Sequence, residues 1–504
     1  MNQERFDEST RALATTRMPR WQVLKRLPVA GLIDGEIRQL LGYYAAGDGG
    51  GGLFRWDAAS TAKDNCGSIL RPASRPASGR WRRIWDGGPV NVLWFGAKRD
   101  NTGDQTAAVH AAQAVATATS EVASPNGWTA GGTLYFPRGT YRCTTAITPG
   151  NYLVWQGDGP NQSVLHWAST GTFINCVGDT PAGVHLNLRD IQIFGTNDNF
   201  LLYQAVNIFS TSHLRVMFRG TSGETAGGLD GSLKSGQVGV STPGSYGDNH
   251  WVECLWLKLG SGLKPGDIGN SYHACQWAYC YKSIDSTATA NGGGYFLGCT
   301  FTGYETDTGL NLSHVWIPQS SNAYAFVDCW FEKAQRPIVL GDSANTGAGG
   351  PVNFSIMNCS VNCHSGSQKC IEVAVARQTA IQSIVFGAVT GTPTSVYFPT
   401  PSSAQDGMIL NPVMFNSIAE VVPEDLPARW ILLGRTQSKV GDDGLHIGSP
   451  TNGPKVMGGG HANPNTLVDA PRGSIYASTS GVLYVKTTGN VALPYSNTGW
   501  VALS

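Results

Sequence analysis

A short pattern recurs through the middle of this chain: an apolar residue, any residue, Cys, any residue, a large apolar residue. It stands at Val252–Trp256 around Cys254, Leu297–Phe301 around Cys299, Val327–Phe331 around Cys329 and Met357–Val361 around Cys359. His273–Trp277 around Cys275 is a variant with His in the first slot. The cysteines follow one another at intervals of 21, 24, 30 and 30 residues. Alternation with period two inside each unit denotes a strand, and a recurrence of this length denotes one supersecondary unit per repeat. A helical solenoid needs a periodicity of about 3.6 residues, which these units lack. In a parallel β-helix, one strand of each coil lies above its equivalent in the next, and Cys stacks on Cys inside as a small apolar side chain. The same slot extends upstream to Leu165, Ile191 and Leu214, with Trp167, Ile193 and Val216 as second apolar partners, and downstream to Ile384 with Phe386.

Composition agrees. A chain of 504 residues is too long for one ordinary compact core. Charged residues are 14% of it, against roughly 25% in soluble proteins, and the 64 glycines imply many turns. A formal net charge of zero gives no support for a nucleic-acid partner. The basic and aromatic run Arg80–Trp85 reads as an amphipathic strand with its charges in solvent. The N-terminus shows no secretory pattern, since Leu27–Ile33 is short and contains Pro28, and no apolar stretch approaches the roughly 20 residues of a membrane span. Eleven cysteines without such a leader do not suggest a disulfide framework. Cys359, Cys363, His364 and Cys370 have a spacing that would suit zinc, but Cys359 and Cys363 fall on inward positions of one coil, and no metal or cofactor is expected.

Two further segments are informative. Phe95–Val109 followed by an Ala-rich stretch reads as a turn and a helix capped by Asp104, and Gly131–Tyr141 as a loop and first strand. A short helix laid across the first coil would block its open edge. Together these segments resemble the opening of the pectate-lyase-like β-helix superfamily, in the branch rich in bacteriophage tailspikes, with Arg99 where Gly is usual and Gln105 where Asp is usual. The resemblance implies an all-β fold: a single-stranded right-handed parallel β-helix with a short capping helix and small N- and C-terminal β modules. Its expected boundaries are a virion-anchoring segment at 1–30, an N-terminal β module at 31–88, the helix at 89–400 and a C-terminal trimerisation or capping region at 401–504. The glycines at 47, 49 and 52 formally satisfy GxGxxG, but no helical pattern follows, so a dinucleotide site is not expected.

What the resemblance implies for function is a tailspike polysaccharide depolymerase: a homotrimer, held to phage tail or baseplate proteins by its N-terminus, that binds a bacterial capsule or O-antigen. Such a protein is made in the host cytoplasm, released by lysis and carried on the virion tail, with no nucleic-acid partner and no membrane insertion. Among the residues there is no GxSxG, HExxH or Walker motif, which leaves carboxylates, and glycoside cleavage needs two. Glu305, Asp307 and Glu332 are the expected catalytic residues, with Asp328 and Glu253 in reserve. Tyr304, Trp316 and Trp330 are the expected stacking platforms for sugar rings. The Gly- and Ser-rich insertion between Phe218 and His250, with Asp230 and Asp248, is a candidate groove wall. A lyase on the same fold would use Tyr304, His314, Lys333 or Arg336 instead. The fold equally serves a spike that only binds a receptor or builds the virion.

Overall fold

A computed structural model gives the fold. It describes residues 17–118, 131–150, 152–177, 185–208, 210–223, 233–243, 248–266, 269–287, 293–303, 313–319, 323–342, 350–363, 369–388, 394–399, 406–410 and 412–414, with short runs at 430–434, 444–447, 455–458, 465, 474–477, 482–488 and 498–503. The chain divides into two compact units, Met1–Gln204 with Thr211–Met217, and Ala205–Ser210 with Phe218–Ser504.

The first unit opens with a five-stranded sheet in the order Arg17–Met18, Ile37–Leu40, Gly52–Asp57, Arg80–Arg83, Ile69–Leu70. Its first pairing is parallel and the others are antiparallel. Leu24, Leu40, Phe54, Trp56, Leu70 and Trp81 form its core. Two side chains pin the Gly-rich run. Asp48 accepts hydrogen bonds from the backbone N–H groups of Tyr43, Tyr44, Ala45 and Gly50. Arg83 donates to the carbonyls of Gly50, Gly51 and Gly67, and its guanidinium lies 4.7 and 4.6 Å from the ring centroids of Phe54 and Trp94. A Cβ at Gly51 would sit 2.6 Å from the Leu40 carbonyl oxygen, so close packing demands glycine there. The expectation that the Arg80–Trp85 charges face solvent fails at two positions: Arg80 and Arg83 are buried, and only Arg82 stays outside, paired with Asp57. A guanidinium carries five donors, and these two satisfy turn carbonyls that have no ladder partner.

The helix Thr106–Ala118 follows. Asp104 accepts from the N–H of Thr106 and also from the N–H of Thr144, so one carboxylate ties the first helical turn to the end of the strand Gly139–Cys143. Gln105 latches the preceding loop, accepting from the Lys98 N–H and donating to the Thr102 carbonyl. Val109, Ala112, Gln113 and Ala116 are buried, and the helix packs on Val90–Asn91, Val92–Phe95 and Thr133–Phe136, the start of the first coil. Parallel pairing then builds the coils. Tyr141, Leu165 and Ile193 form one interior column, and Leu134, Trp155 and Leu188 another. Leu165 is thus in register with Ile193 and holds the second apolar slot, not the first. The Cys-equivalent slot near Leu214 is filled by Val216, because left-handed Arg215 turns the chain between them.

In the second unit the coils described between residues 250 and 397 have three short strands each. A two-residue corner separates the first two. Its leading residue is left-handed at Glu253, Ala274, Gly298, Asp328, Asn358 and Ser383, with φ between 50° and 61°. The next residue turns inward: Cys254, Cys275, Cys299, Cys329, Cys359 and Ile384 are all buried. The repeated pattern therefore spans a corner, not one strand. Across it the alternation changes phase, so that Val252, Leu297, Val327 and Met357 are half-buried, while Trp251, Tyr272, Phe296, Phe326 and Phe354 point inside. Rings stack from coil to coil at 4.4, 4.8 and 4.6 Å along Trp256, Trp277, Phe301 and Phe331. Tyr272, Phe296 and Phe326 stack likewise at 4.6 and 4.5 Å. These separations match the roughly 4.8 Å between hydrogen-bonded strands. The third strands contribute Leu263, Ile284, Val315, Ile338, Ile371 and Val396.

Parallel pairing continues past residue 400, through Gly407–Leu410 with Trp430–Gly434, and then changes to antiparallel with Gly444–Ile447. Further on, Ile475–Ala477, Leu483–Lys486 and Trp500–Ala502 form an antiparallel run closed by Tyr476 against Trp500. The architecture is a parallel β-helix behind a small N-terminal sheet, and no helix is long and apolar enough to cross a membrane among the described residues.

Candidate functional site

Strand Trp330–Ala334 presents Phe331 inward, onto Phe301, and therefore Trp330 and Glu332 outward. In register beside them run Thr300 and Thr302 on one coil, and Ser360 and Asn362 on the next. Trp330 is 48% exposed, and its indole Nε1 donates to Glu332 Oε2 at 3.1 Å. Asn362 donates to Ser360 Oγ at 3.2 Å, and its Oδ1 would lie 2.0 Å from a Cβ at Gly387, so glycine leaves this amide its room. The face combines a flat aromatic ring, one carboxylate, three hydroxyls and an amide.

The backbone under Glu332 is fixed from behind. Its carbonyl accepts from His314 Nε2 at 2.8 Å and from the Gly303 N–H at 2.9 Å. Lys333 is left-handed and the register shifts between Glu332 and Ala334, so the chain bends just after the carboxylate. His314 is 1% exposed beside Phe301 and Phe331, and its Nδ1 lies 3.3 Å from Ser283 Oγ. Burial lowers its pKa to about 4, so it is neutral at physiological pH. That enclosure takes His314 out of reach of a substrate as a lyase base and makes it a support for Glu332.

The other expected residues are placed as follows. Glu305, Asp307 and Tyr304 lie outside the described residues, as do Asp230 and His364. Asp328 and Glu253 are exposed at corners. Glu253 stands three coils from Glu332, about 14 Å at the usual strand spacing, beyond the roughly 9.5 Å upper limit for a glycosidase pair. Asp248 is also left-handed. Trp316 has Lys282 Nζ at 4.6 Å and the Arg336 guanidinium at 5.4 Å from its ring, so its indole is engaged by cations. Arg336 is bonded in turn to buried Glu372 at 2.8 Å, and buried Asp285 accepts from Ser261 Oγ at 2.7 Å. Sequence reasoning named Trp316 and Arg336 but not their partners Lys282, Glu372 and Asp285, and it missed Thr302, Ser360 and Asn362 in the outward row. The only signal was position: each is two residues from its neighbour on a strand, and Ser, Thr and Asn are common everywhere. Cys359 faces Cys329, whose N–H donates to its sulfur at 3.2 Å, so it does not converge with Cys363 and Cys370 on a zinc geometry.

Comparison with known proteins bears on both parts of the chain. Residues 27–86 match a family described as the phage tail protein small four-stranded β-sheet domain. The strands Ile37–Leu40, Gly52–Asp57, Ile69–Leu70 and Arg80–Arg83 fall inside that range. Residues 89–234 match rhamnogalacturonase A/epimerase, pectate lyase-like. The two matches follow one another along the chain, the second over the first coils of the parallel β-helix. No curated protein matches the chain. Solved structures with similar folds include tailspike protein 2 of Escherichia coli O157:H7 bacteriophage CAB120, at 14% identity over 79% of this chain and 47% of that one, TM-score 0.41. The tailspike of Acinetobacter baumannii phage AM24 is 13% identical over 85% and 62%, TM-score 0.44. ORF18 of Geobacillus virus E2 is 14% identical over 94% and 96%, TM-score 0.49. The chain spans less than two thirds of the length of the first two. At these identities the fold assignment rests on the strand pairing of the parallel β-helix itself.

Proposed function

We propose that this protein is a phage tailspike that binds a bacterial surface polysaccharide, capsule or O-antigen, and cleaves it by endo-acting glycoside hydrolysis at the Trp330–Glu332 face. The observation that carries the reading is the exposed indole bonded to a carboxylate amid hydroxyl and amide side chains on one strand face. Pyranose rings offer apolar faces to aromatic rings and hydroxyls to such partners. Glu332 acts as one member of the carboxylate pair. The segment carrying Glu305 and Asp307 begins one residue after Gly303, which is hydrogen-bonded to the Glu332 carbonyl, and supplies the other. The match to a phage tail β-sheet domain supports a place on the virion; attachment through residues 1–30 to tail or baseplate proteins and a homotrimeric working particle are part of the proposal.

The test uses lawns and purified polysaccharides from diverse encapsulated or O-antigen-bearing bacteria. Glu332→Gln, Glu305→Gln and Asp307→Asn are compared with the native protein by reducing ends released and by polymer size. The reading expects uniform short oligosaccharides from the native protein, and loss of cleavage by about 100-fold or more in Glu332→Gln with binding retained. Products bearing a new carbon–carbon double bond and absorbing in the ultraviolet would replace hydrolysis by a lyase. Binding without shortening would leave an adhesin.

A further inference from the structure

Most cysteines of the second unit are engaged by backbone. Cys275 Sγ lies 3.3 Å from the Trp251 carbonyl, Cys299 3.3 Å from that of Tyr272, Cys329 3.3 Å from that of Val327 and Cys359 3.2 Å from that of Met357. Cys363 and Cys370 differ. Their sulfurs face each other at 2.6 Å, well inside the roughly 3.5–4 Å of ordinary non-bonded contact. Both side chains are wholly buried. Cys363 ends the strand Ser360–Cys363, and Cys370 lies in Lys369–Val373, the next strand described in the chain. No acid or imidazole joins them to hold a metal among the described residues.

We propose that Cys363 and Cys370, free thiols in this structure, are a modification site where a disulfide joins two strands of one coil. The ring begins one residue after Asn362, the register partner of Glu332, so the cross-link fixes the coil edge beside the proposed site. The chemistry is thiol–disulfide exchange with a low-molecular-weight disulfide. One protein thiolate attacks a sulfur of that oxidant, breaking its S–S bond and releasing one thiol. The second protein thiolate then displaces the other half, forming the protein S–S bond and releasing the second thiol. Two protons and two electrons pass from the protein cysteines to the oxidant. The exchange takes place while the chain folds, before the coil closes over both sulfurs.

The full-length protein is refolded with oxidised glutathione, denatured in iodoacetamide without reductant, and digested with trypsin, which cuts after Lys369 and places the two cysteines on separate peptides. Mass spectrometry is expected to find these peptides joined, two hydrogens lighter than their sum and separated by reductant, with fragmentation placing the link on Cys363 and alkylation on Cys359, which shares its peptide, and with the other inward cysteines alkylated. Recovery of Cys363 and Cys370 both alkylated would overturn the proposal, as would Cys370 joined to a ladder cysteine. A second measurement compares unfolding temperature with and without reductant. Reductant is expected to lower it in the native protein but not in a Cys363→Ser/Cys370→Ser double variant; an equal fall in both overturns the proposal. Neither result depends on whether the Trp330–Glu332 face cleaves sugar.

Discussion

Glu332 answers to two sets of partners, its carbonyl to buried His314 and Gly303, its carboxylate to exposed Trp330. The residue is thus held by the interior while its acid group faces outward. On this account Trp330→Ala weakens polysaccharide binding by about 1 kcal/mol, roughly fivefold, through loss of the stacking ring, measured by titration against purified polymer. His314→Ala lowers cleavage without touching sugar, and its effect is expected mainly in kcat, with KM changed less. A second residue-scale prediction concerns Asp48. Burial pushes its pKa up, but bonds from Ala45, Gly50, Tyr43 and Tyr44 outweigh that and hold it below the usual carboxylate value. Because the folded-state pKa is depressed, the stabilisation is present above the unfolded value of about 3.9 and is lost as pH falls through the folded value. Asp48→Asn is expected to destabilise the N-terminal sheet modestly at neutral pH, by about 0.5–1 kcal/mol once solvent screening is allowed for, and the difference from the native protein is expected to vanish in acid, as read by tryptophan fluorescence during unfolding. A difference unchanged at low pH would count against the charge being responsible.

The coil is the element in which sequence and structure can be compared most closely. The repeat, the inward cysteines and the capping helix were legible because apolar residues at fixed spacing have one economical way to stack. The corner was not legible. Val252, Cys254 and Trp256 look like one period-two strand, but Glu253 is left-handed and reverses the phase, so Trp251 rather than Val252 enters the core. Nothing in the residue types announced it, since Glu, Ala, Gly, Asp, Asn and Ser all occupy that position. Ala274 bears the left-handed cost with no polar side chain to offset it. Ala274→Gly should therefore raise the urea midpoint, by about 0.5–1 kcal/mol in stability. The aromatic stacks make the opposite prediction. Trp277 lies between Trp256 and Phe301 at 4.4 and 4.8 Å, and Trp277→Ala is expected to cost about 3–5 kcal/mol. At Arg80 and Arg83 the sequence reading failed for a different reason: a run of cations resembles a solvated face until the carbonyls they satisfy are known.

At the scale of the whole chain, the match to a phage tail β-sheet domain precedes the match to a pectate-lyase-like model, and the proposed function assigns docking to the first part and polysaccharide cleavage to the second. The outward row around Trp330 and Glu332 was half legible: the acid and the ring were named from alternation, while their hydroxyl and amide neighbours come from other coils and needed the register. If the working particle is a homotrimer, sedimentation should give three times the 53.5 kDa chain mass, and a single-chain mass would exclude it. The Trp330–Glu332 face is proposed to cleave a polysaccharide by hydrolysis. The most direct test of this proposal is the size distribution of a host capsule or O-antigen after incubation with native protein and with Glu332→Gln. Short, uniform, saturated oligosaccharides are expected from the native protein, and an uncut polymer still bound by the variant. Equal shortening by both would contradict it.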